Sequence, residues 1–484
     1  MTTRLDGGHQ QLDLGPKYRL RAPGFVGTAE VHAAGSTVRS SAPAAFPATL
    51  ADALDNESIT ELDSIVLSLA TEASPAMSTS RLRSSSGEAA VELEMNDLGP
   101  DVGQVVLAVD DSGVATWHYP DPGSPTGTQR FVLRSPDPTV PEPGATTRGI
   151  LGVGMRLVRT FVYSVSDPVV GALGAKSAGL WERARRPYRL RPFTPENHST
   201  NTDAELSSDD LRRLGSGRAL LFVHGTFSQA HSGFGTIDPA LLARLHQVYE
   251  GRVFAFDHPT MSVDPIANAA ALFERLPGDV GYDLDIVAHS RGGLLGRVLC
   301  GEHPGFDANR SRVAVGKLVM AGTPNRGTDI VTPDHLPNLL DRYTTLLTLM
   351  PLGPLGEAID AVLAVVKMLG HGILDGLDGL SSMDPKGQFI RGFGRAELPE
   401  STYYALAANY RPESAGLAAW LRNEALDSVF GGEPNDMVVP APSVEAAPLD
   451  LANRFRFEFD EGVHHSGYFS APRTTGLLAQ ILTG

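Results

Sequence analysis

Short apolar runs with strand character recur from residue 219 to residue 459, and most are separated by helical segments; no other feature of the sequence limits the fold as much. The runs occupy residues 219–223, 253–256, 284–288, 315–320, 403–408 and 455–459. Such alternation predicts an α/β fold with a mostly parallel sheet covered by helices on both faces. Residues 334–391 interrupt the rhythm. There Leu336, Leu339, Leu340, Tyr343, Leu346, Leu347 and Met350 recur at helical spacing, followed by Leu355, Ile359, Val362, Leu363 and Val366. A helical cap inserted after a strand is expected, either as a lid that opens or as static covering.

The first 200 residues read differently. Residues 1–80 are rich in Ala, Ser, Gly, Pro and Thr and are expected to be loosely ordered, with one short helix at 59–70 carrying Leu62, Ile65, Val66 and Leu69. Residues 81–146 alternate apolar and polar positions, as in Val91, Leu93 and Met95, and predict a small antiparallel β module. A helical connector is expected over 147–200, with a long helix from about 147 to 185 presenting Leu151, Met155, Val158, Val162 and Val165. Residues 201–484 form the α/β domain.

The stretch Asp283-Leu284-Asp285-Ile286-Val287-Ala288-His289-Ser290-Arg291-Gly292-Gly293 ends a strand in a serine and begins an apolar helix at once. In a nucleophile elbow the serine occupies a tight, strained turn, where bulky residues two places to either side collide with backbone. Ala288 and Gly292 meet that demand, although Ala288 departs from the glycine of Gly-x-Ser-x-Gly. The alternative is an ordinary strand-to-helix turn with Ser290 as an N-cap.

Upstream, residues 219–223 run into His224-Gly225-Thr226; downstream lies Gly322-Thr323-Pro324-Asn325-Arg326-Gly327. With the serine turn, these fragments resemble those of α/β-hydrolases of the lipase and esterase type, over about residues 215–484. The resemblance implies oxyanion-hole donors at the backbone N–H groups of Thr226 and Arg291. It also implies the chain order serine, acid, histidine. A serine nucleophile needs such a base and an acid to orient it. Of the later histidines, His464 and His465 follow a late strand in a glycine-containing loop. His465 is favoured because a small hydroxyl residue and a glycine follow it, as in related lipase loops, and His464 is the alternative base. Asp436, in Asp436-Met437-Val438-Val439-Pro440, matches the lipase acid pattern; Glu433, Asp427 and Asp329 are its rivals.

Composition excludes other classes. Lys plus Arg number 40 against 56 Asp plus Glu, a net charge of −16, so nucleic acid is not an expected partner. One cysteine, Cys300, rules out an intramolecular disulfide framework and a thiolate-rich metal site. No His or carboxylate cluster has metal-ligand spacing, no phosphate loop or dinucleotide fingerprint appears, and no cofactor or metal is expected. Met1 to His9 does not read as a secretory signal and no apolar run is fit to span a bilayer, so a cytoplasmic protein is expected, with peripheral membrane contact left open. The basic run Arg183, Arg185, Arg186, Arg189 and Arg191 suits either anionic headgroups or a solvated helix end. The reading is a carboxylic ester hydrolase acting on an ester or lipid-like substrate. Its rivals are an acyltransferase or thioesterase with the same triad and a catalytically silent interaction module, with residues 1–200 docking an unknown protein partner.

Overall fold

The computed structural model describes residues 2–34, 48–71, 91–111, 113–133, 154–165, 177–306, 312–349, 356–372, 375–393, 401–412, 430, 432–448 and 450–484. In chain order the strands are β1 Thr2–Asp6, β2 Leu12–Asp13, β3 Tyr18–Arg21, β4 Phe25–Ala33, β5 Thr60–Thr71, β6 Val91–Asn96, β7 Val102–Asp110, β8 Ala115–His118, β9 Thr128–Leu133 and β10 Gly154–Ser164. There follow β11 Arg189–Pro192, β12 Ala219–Val223, β13 Val253–Asp257, β14 Tyr282–His289, β15 Val313–Ala321, β16 Thr402–Ala408 and β17 Arg454–Phe457.

Strands β11 to β17 make a seven-stranded sheet in the order β11-β13-β12-β14-β15-β16-β17. Only the edge pair β11 and β13 is antiparallel. Every residue of β12 and β13 is buried, as expected of strands covered on both faces. Alternate side chains serve the two sides. Leu221, Ile286 and Leu318 pack with Leu272 and Leu295 from the helices Pro265–Arg275 and Gly292–Leu299. Leu220, Phe222 and Val287 pack with Leu242 and Leu478 from the helices Pro239–Val248 and Pro472–Thr483. Burying each such side chain stabilises the fold by about 1.5–3 kcal/mol before chain entropy is counted. The chain passes from β12 to β13 on one side and then to β14 on the other, which opens a crevice at the carboxyl ends of β12 and β14, where α/β sheets place ligands.

The N-terminal strands correct four expectations. Residues 2–34 and 48–71 are not loosely ordered: they supply β1 to β5 and the helix Ala48–Asn56. The segment read as a helix at 59–70 is β5, and the one read as a long helix from 147 holds β10, with a helix only at Ser177–Arg185. The β module is correspondingly larger than residues 81–146. It has an antiparallel six-stranded sheet, β1-β4-β5-β10-β7-β8, and an antiparallel four-stranded sheet, β2-β3-β6-β9. Leu20, Leu93 and Phe131 of the smaller sheet pack on Ile65, Leu67, Val106 and Val158 of the larger.

The other face of the larger sheet meets the cap, which is helical at Leu336–Leu349 and Gly356–Gly370. Leu107, Trp117, Phe161 and Tyr163 share one core with Leu340, Val362 and Val366. Polar contacts follow the same seam: Tyr163 donates to the Lys367 carbonyl at 3.1 Å, and the buried Lys367 ammonium lies 3.0 Å from Glu57. Trp117 is thus an interface residue and Trp181 is buried, donating to Glu57 at 3.0 Å, while Trp420 lies outside the described residues. Among the described residues no helix is long and apolar enough to cross a membrane.

Candidate active site

Strand β14 delivers Ser290 into a tight turn before the helix Gly292–Leu299, with φ of 53°, a left-handed conformation that a serine rarely adopts. Its amide donates to the Ala321 carbonyl at 2.8 Å, which ties the turn to β15. The neighbouring small residues are required by contact. A Cβ on Gly292 would lie 2.3 Å from the Val223 carbonyl oxygen, and one on Gly225 would lie 2.6 Å from Ser290 Cβ. The serine turn and the His224-Gly225 turn after β12 are therefore packed backbone to backbone.

The loops after β16 and β17 bring in two more groups. Ser290 Oγ lies 3.0 Å from His465 Nε2, and His465 Nδ1 lies 2.8 Å from Asp436 Oδ2. All three residues are buried, with Ser290 2 % exposed. Asp436 Oδ1 accepts from the amides of Val438 at 3.0 Å and Val439 at 2.7 Å, while Oδ2 also accepts from the Tyr468 hydroxyl at 3.0 Å. Burial alone would raise the Asp436 pKa; the His465 partner and the two amides outweigh it and hold the carboxyl below its ordinary value. An ionised Asp436 can only accept, so the proton of the bond belongs to His465 Nδ1, and His465 Nε2 is the ring nitrogen that faces Ser290 Oγ.

His464 is turned elsewhere: its ring stands edge-on to Tyr410 at 5.5 Å. Glu433 is exposed, Asp329 begins a short 3-10 helix, and Asp427 lies outside the described residues, so of the four acids considered Asp436 alone is placed against a candidate base. Thr226 follows β12 by way of His224-Gly225, Arg291 comes directly after Ser290, and both residues are buried. Among the described residues neither backbone N–H has a hydrogen-bond acceptor, so both remain available to an incoming oxygen. The Arg291 side chain points away, donating to the carbonyls of Gly379 at 2.8 Å and Val263; burial lowers its pKa to about 10. The basic run is divided: Arg186 and Arg191 are buried, Arg189 pairs with Asp203 at 2.6 Å, and Arg183 and Arg185 are exposed. Among the described residues no cluster suits a metal ion.

Several contributors had no sequence signal beyond their neighbourhood. His289 Nε2 lies 2.8 Å from the His465 carbonyl; burial lowers its pKa to about 3, so the ring is neutral and donates that bond. Phe227, buried with φ of 59°, and Tyr343 from the cap pack edge-to-face at 5.0 Å, and Tyr343 stands 6.3 Å from the His465 ring. Met383 Sδ lies 3.9 Å from Thr226 Oγ1. Tyr343 thus brings an aromatic ring from the cap beside the buried trio.

A family model for a domain of unknown function, DUF7379, matches residues 185–483. No curated protein matches the sequence. Among solved structures, phospholipase PlaB from Legionella pneumophila is 14% identical, with 47% of this chain and 45% of that chain covered and a TM-score of 0.32. The chain therefore spans less than half the length of PlaB. Lipase 1 from Pelosinus fermentans is 12% identical, with 55% and 99% covered and a TM-score of 0.35. The metagenomic carboxyl esterase MGS0156 is 18% identical, with 59% and 79% covered and a TM-score of 0.32. Because the family match takes in more than half of the chain, from the first strand of the seven-stranded sheet to the last helix, the protein belongs to the DUF7379 family.

Proposed function

We propose that this protein is a serine hydrolase of the α/β-hydrolase type that cleaves carboxylic esters through an acyl-enzyme. The observation that carries the reading is the continuous hydrogen-bonded relay Ser290–His465–Asp436 at the carboxyl end of a mostly parallel sheet. Ser290 Oγ attacks the ester carbonyl carbon while His465 Nε2 takes its proton. Negative charge then develops on the carbonyl oxygen and is met by the N–H groups of Thr226 and Arg291, each such donor being worth about 3–4 kcal/mol in comparable sites. The intermediate collapses, the C–O bond breaks, and His465 returns the proton to the leaving alcohol. A water molecule, deprotonated by His465, attacks the acyl-serine; the carboxylic acid departs and Ser290 recovers its proton. Asp436 holds the imidazole tautomer throughout. Phe227, Tyr343 and Met383 favour an ester with an apolar acyl group.

Fluorophosphonate labelling of the full chain with peptide mapping tests this reading without requiring the natural substrate. The expected adduct lies on Ser290, and Ser290→Ala is expected to lose both label and hydrolysis of short p-nitrophenyl esters while melting like the parent. A folded Ser290→Ala protein with undiminished esterase activity would remove the assignment.

A further inference from the structure

The residue after Asp436 is held in an unusual way. Met437 has φ of 84°, a left-handed conformation that is an outlier for a bulky side chain and persists only where the surroundings fix it. Its amide donates to Asn435 Oδ1 at 3.0 Å, and its carbonyl accepts from Arg342 Nη1. Arg342 belongs to the cap helix Leu336–Leu349, is fully buried, and lies 4.8 Å over the Phe430 ring. The Met437 side chain packs against Leu346 of the same helix and against Val114, the residue before β8.

That helix is itself gripped by β8. The Trp117 amide donates to Asp341 at 2.7 Å, and Trp117 Nε1 donates to Thr344 at 2.9 Å. Thr345 Oγ1 accepts from the Ala115 amide at 3.1 Å and donates to the Ala115 carbonyl at 3.2 Å. Residues 341, 344 and 345 therefore face the N-terminal module, while 342 and 346 face the loop of the acid.

We propose that the N-terminal β module acts on the triad through this helix, with Arg342 as the positioning residue that fixes the Met437 carbonyl and hence the Asp436 carboxylate. The kinetic consequence rests on the esterase reading above; the geometric one does not. Without Arg342, a buried carbonyl loses its donor and the left-handed turn loses one of its restraints. The turn then relaxes, Asp436 shifts against His465, and a misplacement of about 1 Å is enough to cost about 10²-fold in rate.

The test compares Arg342→Met, Arg342→Lys and Thr345→Val in the full chain by melting curve, by kcat and KM on p-nitrophenyl butyrate, and by the proton resonance of His465 Nδ1–H. Arg342→Met is expected to lower kcat by about 10²-fold with KM changed less than about threefold, and to broaden or move that resonance. Arg342→Lys, which keeps a donor, should recover part of both. Thr345→Val removes the two side-chain bonds to Ala115 of β8 and should move kcat and the resonance in the same direction, by less. A folded Arg342→Met protein with parental kcat and an unchanged resonance overturns the proposal. Should Arg342→Met not fold, Arg342→Lys and Thr345→Val decide: a lower melting temperature with kcat and resonance both unchanged removes the module from the active site. If the parent protein neither turns over esters nor labels at Ser290, the esterase reading has failed, and the resonance still reports whether Arg342 holds Asp436 to His465.

Discussion

Tyr468 donates its hydroxyl to Asp436 Oδ2 at 3.0 Å, the same oxygen that faces His465 Nδ1 at 2.8 Å. A carboxylate that accepts several donors keeps its charge more readily, so Tyr468 adds to what the two amides and the imidazole already do. Tyr468→Phe is expected to cost about 1.5–3 kcal/mol of stability at neutral pH, the worth of a hydrogen bond to a charged group. The sign with pH follows from the depressed folded pKa of Asp436. Stability from such a group is present above the unfolded value of about 3.9 and is lost as pH falls through the folded one. The gap between variant and parent should therefore close as pH falls through the depressed folded pKa of Asp436, and denaturant melts from pH 7 into the acid range below the ordinary carboxylate value measure it.

The two adjacent histidines separate base from bystander. His465→Ala is expected to lose about 10³-fold or more in kcat/KM, as removal of a general base from an aligned nucleophile does. His464→Ala should retain most activity, since its ring rests on Tyr410 rather than Ser290. The opposite ranking of the two variants would move the base to His464.

How legible this site was depended on how local its determinants are. The serine turn, the His224-Gly225-Thr226 turn and the Asp436 turn are each specified within about a dozen residues, because strain, close backbone approach and side-chain-to-amide bonds act over short spans. Strands β12 and β16 match the expected runs at 219–223 and 403–408 because strands buried on both faces read as unbroken apolar segments. That property misleads for β5. Sandwiched between β4 and β10, it buries residues 63–67 consecutively, and Leu62, Ile65, Val66 and Leu69 then imitate a helical stripe. β10 is likewise flanked on both sides, by β5 and β7, and buries the adjacent pairs Leu157–Val158 and Thr160–Phe161, which hides the two-residue period. Tyr468, His289 and Arg342 act on partners placed by tertiary packing, for which no spacing rule exists.

Buried histidines set the acid sensitivity. Burial lowers His224 and His289 to about 3, so both stay neutral in the folded protein. In the unfolded chain each titrates near 6.5, and the unfolded state therefore binds more protons between about pH 6.5 and 3, where stability falls as pH falls. Each group contributes up to about 1.4 kcal/mol per pH unit, roughly 5 kcal/mol for the pair between pH 6.5 and 4.5. Urea midpoints measured across that range should fall steadily, and His289→Gln should flatten the slope by one proton. A midpoint that is constant between pH 6.5 and 4.5 contradicts this account.

On the esterase proposal, the cap selects which acyl groups fit. Tyr343 of the cap lies 5.0 Å from Phe227 and 6.3 Å from His465 between ring centres, and so forms an aromatic wall beside His465. Tyr343→Ala removes that wall, and an acyl chain that gains room for two more buried methylenes gains about 1.6 kcal/mol, or roughly tenfold in kcat/KM. The expected result is a higher ratio of octanoate to acetate ester hydrolysis, at a stability cost of about 3–5 kcal/mol for truncating a buried aromatic ring. Val362→Asp serves as the contrast. Val362 is buried in the core that joins the cap to the β module, so a charge there is expected to unfold the domain without selecting among chain lengths. Measuring kcat/KM for C2, C4, C8 and C12 esters beside a melting curve separates the two effects. If Tyr343→Ala lowers all four values by the same factor, in step with its melting temperature, Tyr343 is structural covering and acyl length is selected elsewhere.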